Sequence, residues 1–280
     1  MPTLEDDMKQ DAVEGTPIKL LMLGASGAGK TGIVGSLAKN FRVFINDFDA
    51  GTRILRDPSI VAPEHRKNIY IKSFVDKTVF VGGQAQPEAK AYAEFNRSLA
   101  AWKEPDGQDL GNIYTWGPTD VLVIDSFSFL TNAIQNSVLA AAGRVGQKPQ
   151  IQDIGAVQDN LENVLEILYN PKVKCNVVVT AHVTRQVDDI SGATNKLMLS
   201  SIGKKFAPKA PRYFNNMVMV VQKSSGDGVN KKVGPRILTK STYDVDLKVE
   251  RPSAVPAEMG PDLCELFRLL RGDVGGKSNG

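Results

Sequence analysis

An apolar run, Ile18 to Leu23 (IKLLML), breaks into Gly24-Ala25-Ser26-Gly27-Ala28-Gly29-Lys30-Thr31-Gly32. A run apolar at nearly every position suits a strand covered on both faces, and the residues from Lys30 to about Asn40 suit a helix. Strand, glycine loop and helix in that order are the context that G-x-x-x-x-G-K-[ST] requires. The glycines let backbone N–H groups close around phosphate oxygens with no Cβ in the way. A helix starting near Lys30 turns its positive dipole end to the anion. Lys30 then reads as an exposed loop-end cation awaiting β- and γ-phosphates, and Thr31 offers its hydroxyl to Mg²⁺.

Downstream, strands alternate with helices. Phe41–Asp47 (FRVFIND) reads as a second strand and Ile69–Phe74 as a third. Residues 88–103 place Tyr92, Phe95, Leu99 and Trp102 at helical spacing, and the glycine-bearing 105–118 reads as loop. Val121–Asp125 (VLVID) and Val177–Ala181 (VVVTA) are buried-strand patterns, with helical stretches at 127–142 and 153–169 between them. This order predicts an α/β fold whose central sheet is mostly parallel, with helices on both faces. After residue 183 the pattern becomes polar. Strands at 213–222 and 235–249 form an antiparallel C-terminal extension, and 261–271 is a closing amphipathic helix. The organisation expected is a flexible acidic tail over 1–16, one domain over 17–271, and a flexible tail over 272–280.

A carboxylate at the C-terminal edge of a parallel strand lies where ligands bind in such sheets. Asp125 therefore suits the Walker B position, holding Mg²⁺; as an alternative it is a simple strand-end or helix-cap residue. Ser126 follows it, so an activating carboxylate directly after the Walker B residue is excluded. No N-K-x-D occurs, against a guanine-specific GTPase, and 126–171 holds one arginine, Arg144, against the arginine-rich lid of a small-metabolite kinase. Water activation falls to the end of the second strand, Ile45-Asn46-Asp47-Phe48-Asp49-Ala50-Gly51, where the same residues also suit a turn. His182, two residues beyond Thr180, is either a phosphate sensor or a structural hydrogen-bonding residue. His65 reads as a surface loop residue.

Together GASGAGKT, FINDFDAG, VLVIDS and VVVTAH resemble the RecA-like P-loop ATPase core, most nearly its compact phage-type nucleotide-binding and single-strand annealing members. The resemblance implies ATP and Mg²⁺ as cofactors. It puts Asp49 in place of the catalytic glutamate, one methylene shorter, and Thr180 or His182 beside the γ-phosphate on a strand between the P-loop and Walker B strands. It implies single-stranded DNA as a partner in phage-type recombination or annealing, a ring or filament of identical subunits, and contact with a single-stranded DNA-binding protein. It further implies a cytoplasmic setting, the host's if the chain is phage-encoded. The other functions weighed are an ATP-driven switch that binds a protein partner without DNA and a P-loop kinase.

Charge is the remaining pointer. Residues 1–171 carry 16 Lys+Arg against 21 Asp+Glu, net −5, whereas 172–280 carry 18 against 10, net +8. Arg185, Lys204, Lys205, Lys209, Arg212, Arg236 and Lys240, with Lys196, Lys231, Lys232 and the loop residues Arg144 and Lys148, suit a polyanion. Three readings stand for the main cluster: nucleic-acid phosphates, a cation supplied in trans to a neighbour's nucleotide, or solvated surface. Asp188 and Asp189 oppose the first, and Tyr213 and Phe214 suit core packing over base stacking. Two cysteines without CxxC and two histidines exclude a disulfide framework and a multi-histidine metal site. The acidic start lacks a secretory h-region, and no apolar run approaches the ~20 residues of a membrane span.

Overall fold

The computed structural model describes residues 16–186, 196–203, 205–225 and 232–272. The chain opens with β1 (Lys19–Gly24), α1 (Lys30–Gly35), a 3₁₀ turn over Ser36–Lys39 and β2 (Arg42–Asp47). Two further 3₁₀ turns, Thr52–Arg56 and Pro63–Asn68, lead to β3 (Ile69–Ser73). A hairpin of β4 (Thr78–Val81) and β5 (Gln84–Pro87) precedes α2 (Ala91–Ala100). Next come β6 (Asp120–Asp125), α3 (Phe127–Ala141), α4 (Ile151–Tyr169) and β7 (Asn176–Ala181). A second hairpin, β8 (Val183–Gln186) with β9 (Lys196–Leu199), leads to β10 (Asn216–Ser225). β11 (Lys232–Leu238), β12 (Glu258–Met259) and α5 (Leu263–Arg271) complete the elements.

The main sheet runs β12-β11-β10-β1-β7-β6-β2-β3. From β10 to β3 all neighbours are parallel; β11 adds antiparallel to β10, and β12 antiparallel to β11. The strand carrying Thr180 therefore lies between the phosphate-loop strand and the Asp125 strand. Alternation along β1 sends Leu21 and Leu23 into one core and Leu20 and Met22 into the other. The first core takes Phe95, Leu130, Ile134 and Leu161 from α2, α3 and α4. The second takes Ile33 and Val34 from α1 with Leu266 and Phe267 from α5. Both sheet faces are thus covered, which is why the central strands read as unbroken apolar runs.

Several boundaries differ from expectation, each for a local reason. The helix after the loop is α-helical only to Gly35; Gly32 and Gly35 carry little helix propensity. α2 ends at Ala100 because Trp102 turns back, exchanging backbone hydrogen bonds with Gly111 and Leu110. The strand expected over 235–249 is Lys232–Leu238. Beyond it Ser241 Oγ donates to Leu247 O and accepts from Leu247 N, closing a loop that competes with the ladder. Both small hairpins lie in stretches with no strand expectation. The tails (1–15 and 273–280), Asp188, Asp189, Lys204 and Lys231 lie outside the described residues. No described helix is long and apolar enough to cross a membrane.

Candidate active site

Parallel strands deliver their C-terminal ends to one edge of the sheet. There β1 ends in the glycine loop, β6 in Asp125, β2 in Asp47 with Asp49 beyond it, and β7 just before His182. The glycine loop, Asp125, Asp49 and His182 line one cavity of about 890 Å³, large enough for a nucleotide by the ordinary range of ligand sites.

The loop needs its glycines at two places in particular. Gly29 has φ 99°, and a Cβ on Gly24 would lie 2.8 Å from Val220 O. Lys30 is buried, not exposed: its Nζ donates to Gly24 O and Ala25 O, each at 2.9 Å, and lies 3.5 Å from His182 Nδ1. Burial holds its pKa below the usual lysine value, against the pull of Asp125 and Asp49. Ala25, Ser26, Gly27 and Ala28 complete the loop, and Gly32 lies on the first turn of α1. Gln222 of β10 braces the loop from outside, its Nε2 donating to Ala28 O at 3.1 Å.

Asp125 is buried and accepts from Thr31 Oγ1 at 2.7 Å and from Thr180 Oγ1 at 2.5 Å. Burial raises its carboxyl pKa, and the two hydroxyls oppose that shift. Thr180 is thus a buried partner of Asp125, whereas His182 lines the cavity itself. His182 N donates to Ser128 Oγ and His182 O accepts from Ser200 N, which fixes the residue at the root of the β8–β9 hairpin. Its imidazole pKa is lowered by burial and by Lys30.

Asp47 and Asp49 separate clearly. Asp47 is buried and accepts from Asp49 N, Gly51 N and Thr52 Oγ1, so it builds the turn. Asp49 borders the cavity, accepts from Gly51 N at 2.9 Å, and places Oδ2 4.0 Å from His182 Nε2. Burial, then the charge of Asp125, pushes its carboxyl up to about 6, partly offset by the Gly51 N–H.

Hard oxygen donors at Thr31 and Asp125 suit Mg²⁺, which is commonly held by one or two carboxylates plus phosphates. No group of three or more His, Cys, Asp or Glu suited to a metal occurs among the described residues. The donor set therefore fits a metal whose shell is completed by phosphate and water.

The basic candidates lie elsewhere. Arg185 is 3.7 Å from Asp244, Lys209 is 2.6 Å from Glu162 on α4, and Arg212 Nε donates to Lys209 O. Lys205 and Lys240 are exposed, and Arg236 is half-buried on β11. None of these six lines the cavity. Arg144 pairs with Asp153 through both guanidinium NH groups, closing the 143–150 loop onto α4. Lys196 likewise pairs with Asp246. Phe214 is buried, and Tyr213 packs partly buried against the first core.

A glycine loop and a buried threonine–aspartate pair at the edge of this strand order define a RecA-like P-loop NTPase fold. Residues 16–244 match the family model described as AAA domain, and the chain belongs to that family, a family of P-loop ATPases. No curated protein matches it. Among solved structures it is similar to the flagellar accessory protein FlaH from Methanocaldococcus jannaschii. That likeness has 10% identity and a TM-score of 0.39, and covers 92% of this chain and 91% of the other.

Proposed function

We propose that this ATPase works with Mg²⁺, that Lys30 and the loop N–H groups hold the phosphates, and that Thr31 and Asp125 hold the metal. The observation that carries this reading is the Thr31–Asp125 hydrogen bond at the mouth of the glycine loop, inside the cavity that Lys30 closes. When bound, the metal supplies charge neutralisation at the phosphate oxygens. Asp49 is the general base: its carboxyl, raised to about 6, is ionised at neutral pH yet basic enough to take a proton from water. His182, between Lys30 and Asp49, is the side chain placed to register phosphate and pass that state to the β8–β9 hairpin.

Single-stranded DNA is the polymer we assign, in recombination or annealing, and the support is the +8 balance of residues 172–280. Several of those cations already have acidic partners, so Lys205 and Lys240 are the better placed to meet phosphates, or a neighbouring subunit's nucleotide in a ring or filament. The deciding experiment is the ATPase rate of the protein alone, with single-stranded DNA, and with duplex DNA. Stimulation by single strands supports the assignment. A rate indifferent to both, with no DNA binding at low salt, gives way to an ATP-driven protein switch.

A further inference from the structure

The β8–β9 hairpin meets the site through one serine. β8 and β9 pair antiparallel with Val183 opposite Leu199, so His182 and Ser200 form the next pair toward the cavity. Ser200 N donates to His182 O at 2.7 Å. An antiparallel pair that makes one such bond ordinarily makes its reciprocal as well. Here the reciprocal, His182 N to Ser200 O, is replaced by a side chain. Ser128 Oγ accepts from His182 N at 3.1 Å and donates to Ser200 O at 3.1 Å. The hydroxyl thus stands inside the ladder as a link between its two strands. Only a group that donates and accepts at once can do this.

Ser128 lies on the first turn of α3, just after Asp125. A serine or threonine in a helix commonly bonds its own backbone, as Thr131 does, donating to Phe127 O at 3.0 Å. Both hydrogen bonds of the Ser128 hydroxyl leave the helix instead. The next residue, Phe129, meets the imidazole of His182 edge-on at 5.9 Å. α3 therefore holds the main chain of His182 with one side chain and its ring with the next. The ring so held has Nδ1 3.5 Å from Lys30 Nζ and Nε2 4.0 Å from Asp49 Oδ2. Farther out, Leu197 N of β9 donates to Asp244 O at 2.7 Å, which seats the hairpin on the loop beyond β11. Without the Ser128 hydroxyl the strands lose their spacer. His182 N is then free to bond Ser200 O directly, and that closure draws His182 and its ring toward β9.

We propose that Ser128 is the positioning residue of this site: its hydroxyl sets His182 against Lys30 and Asp49 and couples bound nucleotide to the β8–β9 hairpin. This rests on the reading of His182 given above. The test uses the full chain and reads kcat and KM for ATP. It also reads amide hydrogen exchange over 182–186 and 196–200, with and without Mg²⁺ and a non-hydrolysable ATP analogue. Ser128→Ala should lower kcat about 3–10-fold, the worth of one hydrogen bond, and leave KM near wild type. It should also erase the change in exchange that the analogue gives in wild type. Ser128→Thr, which restores the hydroxyl, should recover both; Ser128→Val, the same shape without the hydroxyl, should not. In a His182→Ala background the loss of the hydroxyl should have no further effect, because Ser128 acts through His182. Wild-type kcat and exchange response in Ser128→Ala and Ser128→Val overturn the inference. So do equal losses in Ser128→Thr and Ser128→Val, which make packing the cause, and so does an undiminished loss in the His182→Ala background. A wild type that binds the analogue without any change in exchange overturns the coupling. Turnover and exchange response that survive His182→Ala overturn the reading of His182 itself, whereas a damaged His182→Ala beside an undamaged Ser128→Ala overturns the Ser128 inference alone.

Discussion

Replacing Asp49 by Asn should make the nucleotide-free protein more stable while removing most of its hydrolysis. The carboxyl titrates at about 6 in the folded chain against 3.8 as its ordinary value, because burial and Asp125 disfavour its charge. At 1.36 kcal/mol per pH unit the charged form carries a penalty of at most about 3 kcal/mol. Its carboxylate still meets some water, which reduces this to about 1–2 kcal/mol. Above pH 6 the penalty is complete. As pH falls toward 3.8 the native state takes up a proton that the unfolded state does not, and below that the penalty is gone. Asparagine keeps an acceptor for Gly51 N and carries no charge. The variant should therefore melt about 2–6 °C higher at pH 7.5 and match wild type near pH 4. Scanning calorimetry at the two pH values measures this, with steady-state hydrolysis alongside, expected to fall about 10²–10⁴-fold. An equal or lower melting temperature at pH 7.5, or a gain that persists at pH 4, would refute the electrostatic argument. Near-normal hydrolysis would return Asp49 to the role of a turn residue.

Three further outcomes follow from the same geometry. Lys30→Ala should abolish the thermal shift given by Mg-ATP, worth about 2.7 kcal/mol in wild type at a hundredfold excess over Kd; an intact shift would remove the phosphate-loop assignment. Gly35→Ala should cost about 1–3 kcal/mol by overpacking Val61 and Leu55, read from urea denaturation, and a neutral result would mean that the 52–62 segment moves freely off α1. Replacing Lys205 and Lys240 together should flatten the salt dependence of single-stranded DNA binding by about 1.4 in log–log slope if each meets one phosphate. An unaltered slope with collapsed ATPase would point to a cation acting in trans.

The parallel core was legible because burial on both faces marks nearly every residue: IKLLML, VLVID and VVVTA are short apolar runs rich in β-branched or aliphatic residues and bounded by turn signals. The phosphate loop was legible because its residues are contiguous. What escaped was non-local or weakly coded. Gln222 reaches the loop from β10, and Lys39 meets Asp262 from 223 positions away. Their partnership is a product of topology with no spacing to reveal it. Burial of Lys30 is only partly local: Gly24 O and Ala25 O lie within the loop, whereas His182 reaches it only because β7 lies beside β1. The two hairpins are short and polar or half-exposed, so tertiary context decides them over propensity. Arg144 reads as a basic loop residue in the sequence, whereas in the fold it pairs with both oxygens of Asp153.

The position of β1 in the sheet carries a consequence for the chain during its synthesis. The strand is made before both of its partners, β7 and β10, whose paired residues run from Val177 to Val220. The wall that closes the nucleotide cavity, Gly260–Asp262, is translated later still. At about 5–20 residues per second, IKLLML waits roughly 10–40 s between leaving the ribosome and acquiring both neighbours. During that interval the glycine loop has no sheet edge to stand on and no cavity to close, so nucleotide cannot act as a folding aid for the nascent chain. A strand apolar at nearly every position and held unpaired for that long is a natural substrate for a holding chaperone. Ribosome-stalled chains ending before β10 should be protease-sensitive at β1 whether or not ATP is present.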